Sequence, residues 1–229
     1  MPRFSTIETD FLVLRKTEYS ETSLILAGLS PEHGQLHFLA RGARKVGRKS
    51  FPVADLFRVL RVKYAPGKSD LNTWRDVELA CDYTHLVHSM NAYRAACWLA
   101  GFTLQNTMGG TPAPRFYDAV KLAFDRLQKA ASSPVRHNQS IMLAPVICAG
   151  VIYLDENGLL PDYRDDPAAR QRRDVLLGAG EGRGEFPRIA PASWNKLFAW
   201  LKRILTARDC RLPDTQLLNH SGQNKNGGG

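Results

Sequence analysis

A glycine-flanked basic stretch is the first place in this sequence where phosphate chemistry could occur. It reads Gly42-Ala-Arg-Lys-Val-Gly47-Arg-Lys-Ser50. A phosphate-binding P-loop requires G-x-x-x-x-G-K-[ST] between a strand and a helix, and here Arg48 separates the second glycine from the lysine. Phe51-Pro52 follows, so the sequence does not open a helix whose N-terminal amides would receive the phosphates. The stretch therefore does not predict nucleotide hydrolysis.

Other side chains that could do chemistry are dispersed. His85 and His88 share one face of a predicted helix, but no third ligand stands at a recognised metal spacing. Zinc sites usually use C-x-x-C pairs, whereas the four cysteines here are far apart, and we interpret them as buried free thiols. They are Cys81, Cys97, Cys148 and Cys210. Because no catalytic signature is found either, the sequence predicts no enzyme, no bound metal and no cofactor.

The chain from position 41 to 68 is strongly basic. Nine positive residues oppose one acid, Asp55, which gives a charge of +8 in 28 residues. The nine are Arg41, Arg44, Lys45, Arg48, Lys49, Arg58, Arg61, Lys63 and Lys68. The whole chain carries 31 Lys and Arg against 22 Asp and Glu, a net charge of +9. Such a field attracts polyanions, so nucleic acid is the predicted partner and an anionic membrane surface is the second possibility.

Five strand-like runs within the first eighty residues would carry this charge. They are rich in β-branched, aromatic and aliphatic residues and are separated by turn signals. The runs are Glu8–Lys16, Thr22–Leu29, Gln35–Arg41, Leu56–Tyr64 and Leu71–Leu79. Five short strands suggest a barrel, and the second and third form a hairpin around Gly34. Four aromatic side chains could stack on bases, although core packing is the favoured role of each: Phe38, Phe57, Tyr64 and Trp74.

After Asp82 the apolar residues recur with the period of helices. The pattern predicts helices over His85–Asn106, over Arg115–Ala131, from Ser133 through Val151 with a kink at Pro145, and over Ser193–Arg208. It predicts three regions: a barrel domain over 1–82, a helical domain over 83–220, and a disordered tail over 221–229. The helical domain contains a long irregular insertion at about 155–191, where charge and glycine are frequent. The fold class is therefore α+β.

The location of the protein is predicted from two absences. No signal-like apolar stretch follows Met1, and the run Ile141–Leu154 is shorter than the roughly 20 residues of a membrane span and is interrupted by Pro145. We therefore expect a cytoplasmic protein that does not bind a membrane.

Three segments closely resemble the N-terminal region of the bacterial RecO family. They are Phe11-Leu-Val-Leu-Arg-Lys-Thr-Glu-Tyr-Ser-Glu-Thr-Ser-Leu-Ile-Leu26, Glu32-His-Gly-Gln-Leu36 and Ala40-Arg-Gly-Ala-Arg-Lys45. The resemblance implies an N-terminal five-stranded OB-fold β-barrel followed by an α-helical domain. It also implies binding of single- and double-stranded DNA, annealing of complementary strands without nucleotide hydrolysis, and assistance in loading RecA onto coated single strands.

The resemblance also suggests residues and partners. The DNA-contact role carries over best to Arg41, Arg44 and Lys45, which match the family's basic motif. Together with the basic stretch it gives the predicted DNA-binding set: Arg15, Lys16, Arg41, Arg44, Lys45, Arg48, Lys49, Arg58, Arg61 and Lys63. The implied protein partners are RecR and the acidic, hydrophobic-ended tail of the single-strand-binding protein, which Arg136 could contact. Many relatives have a four-cysteine zinc knuckle after the helix ending near Leu154; here it is lost or replaced by the loop at 155–166.

Two other functions stay open at this point. An RNA-binding OB-fold protein would have the same basic groove, because sequence does not place the contacts to the 2′-hydroxyl that distinguish RNA from DNA. A small nuclease would require clustered acids for a metal ion, which the barrel half of the sequence does not contain.

Overall fold

The computed structural model describes residues 6–43, 54–67, 69–133, 142–214 and 218. Six strands come first along the chain. They are β1 (Ile7–Glu18), β2 (Leu24–Ser30), β3 (Gly34–Ala40), β4 (Arg58–Tyr64), β5 (Leu71–Asn72) and β6 (Trp74–Asp82). Each of the five predicted strand runs overlaps an observed strand. The predicted α+β class is confirmed, since helices make up the rest of the described regular structure.

The six strands form one sheet in the order β5-β3-β2-β1-β4-β6. Neighbours are antiparallel except β3 and β5, which are parallel. The prediction of five strands in a barrel needs a correction, because the fifth run changes partner at Thr73: its first two residues pair with β3 and the rest with β4. The two edge strands are thus consecutive in the chain, yet no ladder joins them within the described residues and the sheet is not closed.

The inner face of the curled sheet has its own small core. Alternate residues of β1, β2, β3 and β4 point inward, as the twofold period of a strand requires. Phe38 lies at its centre, with its ring edge-to-face to Phe11 at 4.9 Å and to Tyr64 at 5.1 Å and stacked with Trp74 at 5.7 Å. The prediction that core packing is the main role of these aromatic residues is confirmed for Phe38, Phe57 and Tyr64, which are buried.

Five α-helices follow a short 3-10 helix at Thr84–His88. They are α1 (Met90–Asn106), α2 (Pro114–Ala131), α3 (Leu143–Glu156), α4 (Pro167–Gly180) and α5 (Pro191–Ala207). The helices predicted over Arg115–Ala131 and Ser193–Arg208 are confirmed. The first predicted helix begins later than expected, at Met90, because Ser89 accepts a hydrogen bond from the Ala92 amide and caps it. No described helix is long and apolar enough to cross a membrane.

Helix α3 is buried along nearly its whole length. The segment in which its start was predicted, after Ser133, lies outside the described residues up to position 141. The helix continues past the predicted end at Val151 to Glu156. In the described helix Pro145 falls in the first turn, where its missing N–H would have no intrahelical acceptor, so no kink is required there.

The irregular insertion predicted over 155–191 is wrong in its central part, where α4 lies. Asp166 caps this helix by accepting from the Ala169 amide at 2.8 Å, and Pro167 occupies its first turn. The sequence of α4 shows only a weak helical periodicity of apolar residues, because only Leu176, Ala179 and Gly180 are buried on this helix. The tail over 221–229 is outside the described residues.

The turn between β2 and β3 joins the sheet to the connection between α1 and α2. Gly34 pairs with Gly109 in an isolated bridge, Gln35 N donates to Met108 O at 3.1 Å, and Gly110 N donates to His33 O at 2.9 Å. Gly34 has φ +64°, and a Cβ added there would lie 2.2 Å from Met108 O. The left-handed backbone and this close approach both require glycine.

Candidate nucleic-acid interface

Strand registers order the outer face of the sheet into rows of side chains. The row formed by Val59, Leu12, Leu29 and Gln35 crosses the middle of the sheet. The first three belong to the main hydrophobic core with residues of α1 and α2, so the helical part covers this row. The helices therefore divide the outer face into two exposed regions with different charge.

A shallow basin lies on one side of the covered row. Its floor is the neighbouring row Arg15–Ala27–His37–Leu71, in which each residue is the register partner of the next. Thr17 and Ile25 form the row beyond it, and Asp70 lies at the rim. These seven residues line about 250 Å³, and we call the site the Arg15 basin. Its exposed cation stands next to the apolar side chains of Ala27, Ile25 and Leu71, with one carboxylate, that of Asp70, also lining the basin, and this combination of a cation and apolar surface suits a phosphate and its sugar.

Arg15 has no ion-pair partner in the part of the chain that the structure describes, and the same holds for exposed Arg41 just after β3. Both guanidinium groups are therefore available to an anion without first losing a carboxylate. Arginine suits this role because its planar fork can donate two hydrogen bonds to one phosphate.

His37 is held in the basin by a chain of hydrogen bonds. When the Gln35 side-chain amide is oriented so that both of its ends have a partner, its oxygen accepts from His37 Nε2 at 3.1 Å and its nitrogen donates to Leu104 O at 3.2 Å and to Thr107 O at 2.8 Å, at the end of α1. Burial lowers the pKa of His37, and Arg15 lowers it further, while Asp70 acts in the opposite direction. A phosphate bound beside Arg15 would favour the protonated imidazole and would add a second positive contact.

The other exposed region, on β1, β4 and β6, has its charges paired across strands. Arg61 Nε lies 3.3 Å from Asp10, and Lys63 Nζ lies 3.7 Å from Glu8 and 3.8 Å from Asp76. Glu78 is the register partner of Arg61 on the far side. Four acids thus surround two bases, so this region does not attract a polyanion as the Arg15 basin does.

Comparison with known proteins gives an independent result. Residues 3–83 match the family model described as "Recombination protein O N terminal". The chain is 26% identical over 231 residues to DNA repair protein RecO of Aliivibrio salmonicida, which covers 89% of this chain and 94% of that protein. The chain therefore resembles the RecO family, over residues 3–83 by the family model and over most of its length by this relative. It is also 31% identical over 108 residues to RecO of Desulfitobacterium hafniense, covering 47% of this chain and 39% of that protein, and 41% identical over 66 residues to RecO of Coxiella burnetii, covering 29% and 28%.

These matches confirm the resemblance inferred from the three N-terminal segments. The structure places the predicted DNA-binding residues of the chain in different environments. Arg15 lines the basin and Arg41 is exposed just after β3, whereas Lys16 pairs with Asp55 at 2.5 Å and Arg58 pairs with Asp82 at 3.2 Å. Arg61 and Lys63 lie in the paired region. Outside the described part of the chain lie Arg44, Lys45, Arg48 and Lys49, together with the predicted partner contact Arg136.

Lys16 also controls the ionisation of its partner. Burial opposes ionisation of Asp55, but hydrogen bonds from Lys16 and from the Leu56 amide outweigh it and lower the pKa of this carboxyl. A phosphate would have to compete with Asp55 for Lys16, so we expect a smaller contribution from Lys16 than from Arg15.

Sequence reasoning missed Thr17 and His37 as basin residues. The alternation of side chains along a strand could have indicated them. Residues 15 and 17 lie on the same face of β1, and residues 35 and 37 lie on the same face of β3. The missing information was the register of two hairpins, β1–β2 and β2–β3, which together bring these residues of β1 and β3 onto one continuous face.

The other candidates for chemistry take structural roles. The rings of His85 and His88 stack at 5.0 Å in the 3-10 helix, and no group of three or more His, Cys, Asp or Glu side chains among the described residues is arranged to hold a metal ion. All four cysteines are free. The prediction that they are buried is correct for Cys148, whose pKa burial raises to about 12, whereas the other three are partly exposed.

Proposed function

We propose that this chain is a cytoplasmic, non-enzymatic DNA-binding recombination mediator that acts in DNA repair. Its family model is that of a recombination protein, and its relatives carry the name DNA repair protein. In this proposal it binds single- and double-stranded DNA, anneals complementary strands and assists the loading of RecA onto coated single strands.

The contrast between the two exposed regions of the sheet is the observation that carries the proposal. Arg15 and Arg41 are unpaired among the described residues, whereas Arg61 and Lys63 are neutralised by carboxylates at 3.3–3.8 Å. The binding free energy of a phosphate backbone is most favourable where the phosphates release their condensed counterions and no ion pair of the protein has to be broken. We therefore place the DNA on the Arg15 basin and propose that the basic residues that follow Arg41 in the sequence also contact it.

Annealing follows from charge neutralisation. Two complementary strands repel each other through their phosphates, and a protein that neutralises part of this charge brings them together while leaving the base edges free to pair. Contacts to phosphates are independent of sequence, as a general annealing protein requires. No covalent step and no nucleotide hydrolysis are part of this mechanism.

The helical domain, which we delimit as residues 83–220, is the proposed site of protein partners. By analogy with the family these are RecR and the acidic tail of the single-strand-binding protein. Arg136 remains the proposed contact for the carboxylates of that tail, because its sequence neighbourhood, which includes Ile141 and Met142, combines a cation with apolar residues and so matches an acidic segment with a hydrophobic end.

The salt dependence of binding tests where the DNA lies. We expect the double substitution Arg15→Ala and Arg41→Ala to weaken binding to a single-stranded oligomer at low salt and to flatten the plot of log affinity against log salt by up to ~1.4, because each lost phosphate contact accounts for about 0.7. Fluorescence anisotropy over a salt series measures both quantities.

The control is the double substitution Arg61→Ala and Lys63→Ala, which removes the same charge from the paired region. We expect its salt slope to equal that of the unmodified protein. If this control flattens the slope and the Arg15 and Arg41 substitutions do not, the DNA crosses β1, β4 and β6, and the proposed interface is wrong.

A further inference from the structure

A second and larger concavity adjoins the Arg15 basin where the sheet meets the helical part. It measures about 660 Å³. Three segments form its walls: the β2–β3 turn with β3, the connection between β4 and β5, and the connection between α1 and α2. We call it the junction cleft. His37 and Asp70 line both concavities, so the basin and the cleft are continuous along β3.

The two concavities differ in chemistry. Arg15 lines the basin, whereas no Lys or Arg is among the described residues that line the cleft. The cleft instead presents the ring of His33, which contacts Tyr64 edge-to-face at 6.4 Å, and the side chain of Met108, which is 70% exposed at the rim. The imidazole ring and the exposed thioether offer contact to the face of a flat ring.

Polar groups in the cleft can orient such a ring. Asn72 donates from its amide nitrogen to His37 O at 3.3 Å and to Asp70 O at 3.5 Å. No described residue donates to its side-chain oxygen, which therefore remains an acceptor for an exocyclic amino group or a ring N–H. Nucleobases combine a flat π-face with such donors at the edge.

The walls of the cleft are fixed before any ligand arrives. Gln35 N donates to Met108 O at 3.1 Å, Gly110 N donates to His33 O at 2.9 Å, and the Gln35 side chain joins β3 to the end of α1. Because the site is preformed, the protein loses little conformational entropy when a ligand binds. Even a small ligand such as one base can therefore bind with a favourable free energy.

We propose that the junction cleft holds one unstacked base of the DNA strand whose phosphates lie on the Arg15 basin. This proposal rests on the proposed DNA-binding function and adds a subsite to it. Bases of an intact duplex are stacked and paired, so the cleft accepts a base only from a single strand. It therefore makes the protein prefer single-stranded over double-stranded DNA.

Two oligomers with the same number of phosphates test the subsite, one of thymidylates and one of abasic residues. We expect the full-length protein to bind the thymidylate oligomer more tightly. His33→Ala and Met108→Ala should each weaken thymidylate binding by roughly 5- to 150-fold if the lost contact equals one base stack, and by less if it is partial. Abasic binding and the salt slope of both variants should be unchanged.

Controls separate this proposal from the proposed function. His85→Ala removes an exposed histidine that does not line the cleft and should change neither affinity, and melting temperatures verify that all variants fold. Equal affinity of the unmodified protein for the two oligomers, or unchanged thymidylate binding by both cleft variants, would overturn the base subsite. Failure of the unmodified protein to bind either oligomer would instead overturn the DNA-binding function.

Discussion

A protein in which Arg44, Lys45, Arg48 and Lys49 are all replaced by alanine will bind single-stranded DNA weakly and with a shallow salt dependence. These four residues follow Arg41 in the sequence and precede β4, in the predicted basic loop between the two strands. If each contacts one phosphate, the slope of log affinity against log salt flattens by up to ~2.8, which corresponds to roughly 50-fold over a fourfold change in salt concentration. Anisotropy titrations with several oligomer sequences should show the same loss for all.

A matched variant removes four exposed cations from the helical part of the chain instead. Lys129, Arg172, Lys196 and Arg203 are exposed and lie on α2, α4 and α5. Because both variants lose the same net charge, a general effect of charge would appear in both. We expect the full slope change only in the loop variant. The opposite pattern would place the DNA on the helices and contradict the proposed interface.

The substitution Gly34→Ala will strongly destabilise the fold. The new Cβ would lie 2.2 Å from Met108 O and 2.4 Å from Thr111 O, and these backbone atoms belong to the connection that is hydrogen-bonded to the β2–β3 turn. Left-handed backbone strain and overpacking together lower the free energy of unfolding by about 2–5 kcal/mol. Urea unfolding followed by circular dichroism measures the change.

Gly110→Ala separates the two causes. Gly110 also has a positive φ, +76°, but nothing lies within 4 Å of an added Cβ. It should therefore show only the backbone strain, about 1–2 kcal/mol. If both substitutions lower the free energy of unfolding equally, the close contact between the turn and the α1–α2 connection does not contribute to the destabilisation at Gly34.

Local patterns in the sequence were sufficient to predict most elements. The hydrophobic alternation of β1 to β4 and the one-sided apolar period of α2 each report on neighbouring residues, so a single sequence reveals them. Helix α4 was missed because it is rich in charge and buries little apolar surface, although Asp166-Pro167 is an N-terminal signal that could have indicated it.

The candidate site depended on long-range pairing that local patterns do not contain. From the sequence, Arg61 and Lys63 are two cations of a basic stretch. Their partners Asp10 and Glu8 are distant in sequence and become their neighbours only because β1 pairs with β4. His37 was not singled out, because its position beside Arg15 follows from two hairpin registers together. The strand registers therefore determine which of the described cations have a carboxylate partner.

The annealing of two complementary single strands by the purified full-length protein, in the absence of ATP, tests the central claim most directly. We expect annealing to be faster than the spontaneous reaction, to be unaffected by added ATP, and to be slowed by the Arg15→Ala and Arg41→Ala substitutions but not by Arg61→Ala and Lys63→Ala. Annealing that strictly requires ATP, or no acceleration at any protein concentration, would contradict the account of a non-enzymatic annealing protein that works by neutralising phosphate charge.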